Sequence, residues 1–154
     1  MTTTKKTGVI VLLSITLLVI QMLFNKKGIP IDLLILPVYA VSIRCGYQKG
    51  FWAGVLIGFI EDTLSGGFLG PSILSKGLMG IVSGSLFGRV FIWRPLVGWL
   101  TLLLLGALDY LIQVFALLLF WVSPGSLTDI LIYSALSGLI VSPAGYLIGP
   151  EDGQ

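Results

Sequence analysis

The stretch Glu61-Asp62-Thr63-Leu64-Ser65-Gly66-Gly67-Phe68-Leu69-Gly70-Pro71-Ser72-Ile73-Leu74-Ser75-Lys76-Gly77-Leu78-Met79-Gly80 decides how the chain is read. Two adjacent carboxylates, a glycine-rich turn and a lysine stand between two apolar segments. If those segments cross a bilayer, the stretch lies at one membrane face and dips into it. Polar groups are expensive at that depth and mark function by default. The plainer reading is a tight helix–helix connection closed by an ion pair, and for each single residue it carries at least equal weight.

The rest of the chain sets the solvent. It is 56% apolar and only 10% charged, whereas a water-soluble domain of this size has about a quarter of its residues charged. Several apolar runs approach or reach the roughly 17–25 residues that a membrane-crossing helix needs. The expected fold is an all-α polytopic membrane protein in one domain. Its six helices are expected at residues 8–24, 30–45, 50–64, 71–91, 95–122 and 127–148. A formal charge of +2 spread over several loops, with no basic run interleaved with aromatics, argues against nucleic acid. The single cysteine, Cys45, excludes an intrachain disulfide. The absence of histidine removes the common zinc sites and every histidine-based general base.

The first apolar run follows Lys5 and Lys6, and no small-x-small cleavage site precedes Asn25-Lys26-Lys27. It reads as an uncleaved helix with Gln21 as an interfacial polar residue. Pro30 suits the first turn of the second helix, and Asp32 there reads as helix-start stabilisation by the dipole. Pro37, inside that segment, predicts a kink or break. The third segment is short for a full crossing, and segments two and three could also form a partly re-entrant pair. Gly50, Gly54 and Gly58 recur every four residues in the third segment, and Gly80, Gly84 and Gly88 do so in the fourth. Such rows let helix backbones approach closely. Packing of these two helices on each other is the first reading of the rows, and docking of another chain the second. Arg89, Trp93 and Arg94 read as a membrane interface, as do Trp99 and Trp121 near the ends of the fifth helix.

With six crossings, Lys5, Lys6, Arg44, Lys49, Arg89 and Arg94 fall on one side, and Lys26 and Lys27 on the other. Both termini are then cytoplasmic and the Glu61 turn faces outward. Asp109, mid-way along the fifth helix with Gln113 one turn on, needs a partner, a proton or a polar cavity. An unpaired carboxylate there costs about 2.5–3.5 kcal/mol. Lys76 could reach part of the way to it, although Glu61 or Asp62 is the more natural partner by depth. No catalytic set is legible. Asp62 and Asp109 lack the Gly-x-Gly-Asp setting of an intramembrane aspartyl protease. Ser83 lies in Gly80-Ile81-Val82-Ser83-Gly84 rather than Gly-x-Ser-x-Gly, with no histidine to activate it. No phosphate-binding loop is present. The expectation is a non-enzyme without cofactor or metal.

Two segments carry a resemblance. Ile31-Asp32-Leu33-Leu34-Ile35-Leu36-Pro37-Val38-Tyr39 with Arg44-Cys45-Gly46 resembles the second segment of MreD, a family of bacterial rod shape-determining proteins. Gly54 to Gly70, with Asp62-Thr63-Leu64-Ser65-Gly66-Gly67-Phe68-Leu69-Gly70 at its end, is similar to that family's Asp-x-Leu-Ser-Gly-x-x-Leu-Gly turn. The likeness is sharp over residues 32–84. Asp62, Leu64, Ser65, Gly66, Leu69 and Gly70 match the turn, and Asp32 the start of helix two. Cys45 and Gly67-Phe68 depart from the pattern, and Lys76 and Asp109 map to no signature position.

The resemblance implies a cytoplasmic-membrane subunit of the machinery that builds side-wall peptidoglycan. Its fold would be like the six-helix substrate-binding subunits of energy-coupling-factor transporters. Its implied partners are MreC, directly through membrane helices, and in the wider assembly RodA, its penicillin-binding transpeptidase and MreB. The expected role is a scaffold that grips the transmembrane helix of MreC and positions the synthase. Asp32, Gly54, Gly58, Asp62, Ser65, Gly66, Gly70, Lys76, Gly80, Gly84, Gly88 and Asp109 are the candidate partner-binding or structural residues. The rival is a substrate-capture subunit of a vitamin transporter, which would need an outward-opening polar and aromatic pocket near Tyr133 and Glu61. An ion carrier built on Asp109 would need a relay of ionisable residues that the sequence does not display.

Overall fold

A computed structural model describes residues 14–21, 23, 32–65, 69–86, 94–119, 126–146 and 148. Of the described residues 92% are helical and none lies in a strand, so the all-α expectation holds. The elements are α1 (14–21), α2 (Ile35–Cys45), α3 (Tyr47–Ser65), α4 (Pro71–Leu86), α5 (Pro95–Leu119) and α6 (Leu127–Val141), which continues as a 3-10 turn, Ser142–Tyr146. Lys5, Lys6, Lys26, Lys27, Pro30, Gly66, Gly67, Phe68, Gly88, Arg89, Trp93 and Trp121 lie outside the described residues.

The expectation of six crossing helices is corrected. Among the described residues, two helical stretches are long and apolar enough to cross a membrane, Pro95–Leu119 and Leu127–Tyr146. The others fall short for separate reasons. Helix α2 has 11 residues, a length of about 16 Å at helical rise, and the described part of α4 has 16, about 24 Å. Helix α3 has 19 residues but carries Lys49, Glu61 and Asp62. Pro37 does not kink α2, because the helix starts at Ile35. Its third residue has no intrahelical N–H bond to lose. Pro143 marks the change from α6 to the 3-10 turn.

Helix α2 is the hub despite its length. Its Ile35, Tyr39 and Ile43 share one core with Met79 of α4, Leu102 and Leu105 of α5, and Val141 of α6. Gly46, at φ +86, turns the chain between α2 and α3, a backbone setting that suits glycine. Helices α3 and α4 then form an antiparallel hairpin packed along its whole length. Both glycine rows, at their described positions, are consumed in this seam. A Cβ on Gly50 would lie 2.8 Å from the Gly80 carbonyl oxygen, one on Gly54 2.6 Å from the Lys76 carbonyl carbon, and one on Gly58 2.7 Å from the Ile73 Cα. From the other side, a Cβ on Gly84 would lie 2.6 Å from the Tyr47 Cα. Gly80 also accepts a hydrogen bond at its carbonyl from the Ser42 hydroxyl. Internal packing, the first reading of the rows, is therefore the one found, and Gly54, Gly58, Gly80 and Gly84 are not a free face for another chain.

The distribution of side chains is inverted relative to a soluble protein, where large apolar groups fill the interior and charges stay outside. In α3 the buried residues are Gly50, Gly54, Gly58 and Asp62. Trp52, Leu56 and Phe59 are each more than half exposed, while Lys76 and Asp109 are fully buried.

Candidate functional site

Five segments converge on Lys76. Its position in α4, one residue before Gly77, is where α3 comes closest, since Gly54 has no side chain to keep the two backbones apart. The ammonium pairs with Asp32, just before α2, and with Glu61, in the last turn of α3. Lys76 is fully buried, whereas the Asp32 and Glu61 side chains keep 13% and 16% exposure. The expected pairing with Glu61 is found. Asp32 as a partner was not expected, and Asp62 is not part of the pair.

The network extends outward from that pair. Gln21 of α1 donates its amide to Glu61, and its carbonyl oxygen accepts from the backbone N–H groups of Leu33 at 3.0 Å and Leu34 at 3.2 Å. Gln21 is buried, which corrects its reading as an interfacial residue. The Gln113 amide of α5 donates to Asp32 at 3.1 Å and to Asp109 at 2.9 Å. Asp109 thus joins through Gln113 and through contacts with Asp32 and Ser75, rather than by a direct ion pair with Lys76. One of its oxygens, Oδ1, is buried without a hydrogen-bond partner. Asp32 also accepts from the Leu34 N–H at 3.0 Å through its other oxygen. Helix α2 starts at Ile35 with no acid in its first turn, so the helix-start reading of Asp32 is corrected: it braces the turn before α2 and pairs with Lys76.

Electrostatics favour the arrangement only as a unit. Two carboxylates pair with one ammonium and a third lies beside them in a place where water is scarce, and removing one partner of such a group leaves a buried charge uncompensated. Among the described residues, no three of the acids or the cysteine are arranged to hold a metal ion. What the network does plainly is tie α1, the start of α2, α3, α4 and α5 together at one level.

Asp62, the second acid of the adjacent pair, has a separate task. Its carboxylate accepts from the backbone N–H groups of Gly70 at 2.8 Å, Ser72 at 3.2 Å and Ile73 at 3.3 Å. These are the donors left unpaired at the start of α4, and a carboxylate there is also favoured by the helix dipole. Gly70 sits at φ +135 in this turn, a region that L side chains rarely enter. Ser65 donates to the Asp62 carbonyl at 3.1 Å and is exposed. The signature-like turn is therefore a helix cap built across the hairpin. Asp62→Ala should cost about 2 kcal/mol of unfolding free energy, read as a lowered midpoint in a denaturant titration of the purified chain. Asp62→Asn, which keeps one acceptor oxygen, should lose less.

Of the twelve candidates, the structure brings Asp32, Lys76 and Asp109 into one network with Glu61, Gln21 and Gln113. It puts Asp62, Ser65 and Gly70 in the cap, and Gly54, Gly58, Gly80 and Gly84 in the seam. Gly66 and Gly88 lie outside the described residues. Gln21 and Gln113 are the functional candidates that sequence reasoning missed. The signal available was their position, a polar amide in a largely apolar helix, with Gln113 one turn from Asp109. Comparison with protein-family models, with curated proteins and with solved structures gave no match to this chain.

Proposed function

We propose that the chain is a multi-pass membrane protein of the MreD type, a non-catalytic scaffold that holds a single-span partner such as MreC in the cell-elongation machinery. The observation that carries the membrane half of this reading is the inverted side-chain distribution. A fully buried lysine and aspartate sit inside a bundle whose outer surface is Trp52, Leu56, Phe59, Leu108 and Leu118. Large exposed apolar side chains in this number around buried charges belong against lipid or other helices. The short helices α2 and α4 are compatible with it, because α2 is covered by its neighbours and α4 lies along α3. The scaffold half rests on the sequence resemblance, and it gains from an ionic network whose partners mostly satisfy one another and cross-link five segments.

Leucine at Gly54 or Gly80 would disrupt the hairpin itself, so loss of binding there would carry no information about docking. Photo-crosslinking amino acids at outward positions on α3, α4 and α5 are the informative probes, with MreC co-expressed. The reading expects crosslinks to MreC from one contiguous stripe. Crosslinks to lipid alone from every position, with no MreC retained on purification, would remove it.

A second reading, an ion carrier, draws on the connected path Gln21–Glu61–Lys76–Asp32–Gln113–Asp109. That path supplies the ionisable chain that the sequence did not display. Reconstituted vesicles separate the two: a carrier dissipates an imposed pH or cation gradient and loses this with Asp109→Asn, whereas a scaffold leaves the gradient intact.

A further inference from the structure

We propose that the open end of the α3–α4 hairpin is a binding site for the headgroup of an anionic phospholipid. The inference rests on the bilayer reading above. A cleft of about 560 Å³ lies there, lined by Tyr47, Gln48, Lys49, Phe51, Trp52 and Ile81. The first turns of α3 supply both chemistries that such a ligand needs. The Lys49 ammonium, the Gln48 amide and the Tyr47 hydroxyl are hydrogen-bond donors, and lysine binds phosphate as a point charge. Phe51 and Trp52 meet edge to face at 5.4 Å between ring centres, and with Ile81 they form an apolar wall beside the donors.

The charge arrangement selects an anion. Within α2, α3 and α4 the carboxylates are Glu61 and Asp62, at the closed end of the hairpin. Arg44 and Lys49 lie at the open end, about 18 Å away by helical rise. Trp52 is 64% exposed and Tyr47 44%, and exposed aromatics beside a cation are the composition of headgroup depth. The apolar wall also has an extension. Trp52, Leu56 and Phe59 are all exposed and follow one another at helical spacing along α3, which gives an acyl chain a track leading away from the donors. A soluble phosphate would use none of that track, and this selects the lipid as occupant.

The test uses the full chain purified in a neutral detergent, with phosphatidylglycerol and phosphatidylcholine titrated separately and bound lipid read by native mass spectrometry. Phosphatidylglycerol should bind in preference. Lys49→Gln should weaken it about fivefold, the worth of one basic side chain at an anionic surface, while Lys49→Arg keeps the preference. Trp52→Ala should weaken both lipids. Lys49 is exposed, so its variants should keep the unfolding midpoint of the parent chain. Equal binding of the two lipids by the parent, or a preference that survives Lys49→Gln, would overturn the proposal. So would displacement of phosphatidylglycerol by inorganic phosphate at millimolar concentration, which would mean a free-anion site. Failure of the bilayer reading registers separately, as release of the chain from membranes by an alkaline carbonate wash.

Discussion

Lys76→Met should destabilise the protein by about 3–5 kcal/mol, the usual consequence of deleting one member of a buried ionic group. The methionine fills much of the same volume, so the loss is electrostatic. Asp32 and Glu61 both face the Lys76 ammonium, and without it two carboxylates remain in a poorly solvated place. Neutralising them should restore part of the loss. Lys76→Met combined with Asp32→Asn and Glu61→Gln is expected to recover more than half, since neutral hydrogen-bonding or apolar groups of similar size often replace a buried ion pair at little cost. Asp109→Asn is the contrasting case. Its carboxylate accepts from Gln113 and also lies beside Asp32 and Ser75, with no direct ion pair to Lys76. The amide can keep that bond, so the change should stay within about 1 kcal/mol. Unfolding midpoints in mixed micelles rank the three variants. Equal losses at Lys76 and Asp109 would mean that the ion pairs do not organise the site.

Gly54→Ala should be among the most damaging single methyl additions at the described glycines. The added carbon would meet backbone atoms of Lys76 and Gly77 at 3.0 Å or less, and backbone cannot rotate away as a side chain can. The helices must separate along their length, and overpacking of this kind costs about 1–3 kcal/mol or more. Separation would also pull Lys76 from Glu61, so the effect should approach the top of that range. Gly77→Ala is the control, one residue from Lys76. Its methyl group meets side-chain atoms of Val55 and Phe51 at 3.3 and 3.4 Å, which can shift by tenths of an ångström. Alanine also gains about 1 kcal/mol of helix propensity over glycine. Gly77→Ala is expected to be neutral or slightly stabilising. Thermal unfolding followed by tryptophan fluorescence compares the pair, and similar midpoints for the two variants would contradict the seam.

How much of this was legible depended on how local the cause was. The four-residue glycine spacing in α3 and α4 follows from helix geometry alone, so their mutual packing could be read from the chain. The turn at Gly70 was equally open, because glycine before Pro71 punctuates a chain visibly. The number of crossings was not, because α2 starts at Ile35 rather than Pro30 and is covered on several sides. A buried short helix has the same apolar composition as a lipid-facing one. Lys76 with Asp32 was out of reach for a different reason. The two are far apart in sequence and meet only because α2 lies against both α3 and α4. Asp62 illustrates the reverse error, since two adjacent acids look equivalent on paper. A helical step of about 100° turns Glu61 toward Lys76 and leaves Asp62 under the start of α4.

The claim beneath the whole account is that the outside of this bundle is solvated by lipid and its inside by its own polar groups. Spin labels at positions 56, 59 and 108, placed one at a time in a Cys45→Ser background after reconstitution into vesicles, test it most directly. Power saturation reads the accessibility of each label to oxygen, which concentrates in lipid, and to a water-soluble nickel chelate. The account predicts high oxygen and low nickel accessibility at all three positions, with native Leu56, Phe59 and Leu108 now exposed to 61%, 52% and 45%. Nickel accessibility exceeding that of oxygen at these positions would put the apolar surface in water and contradict it.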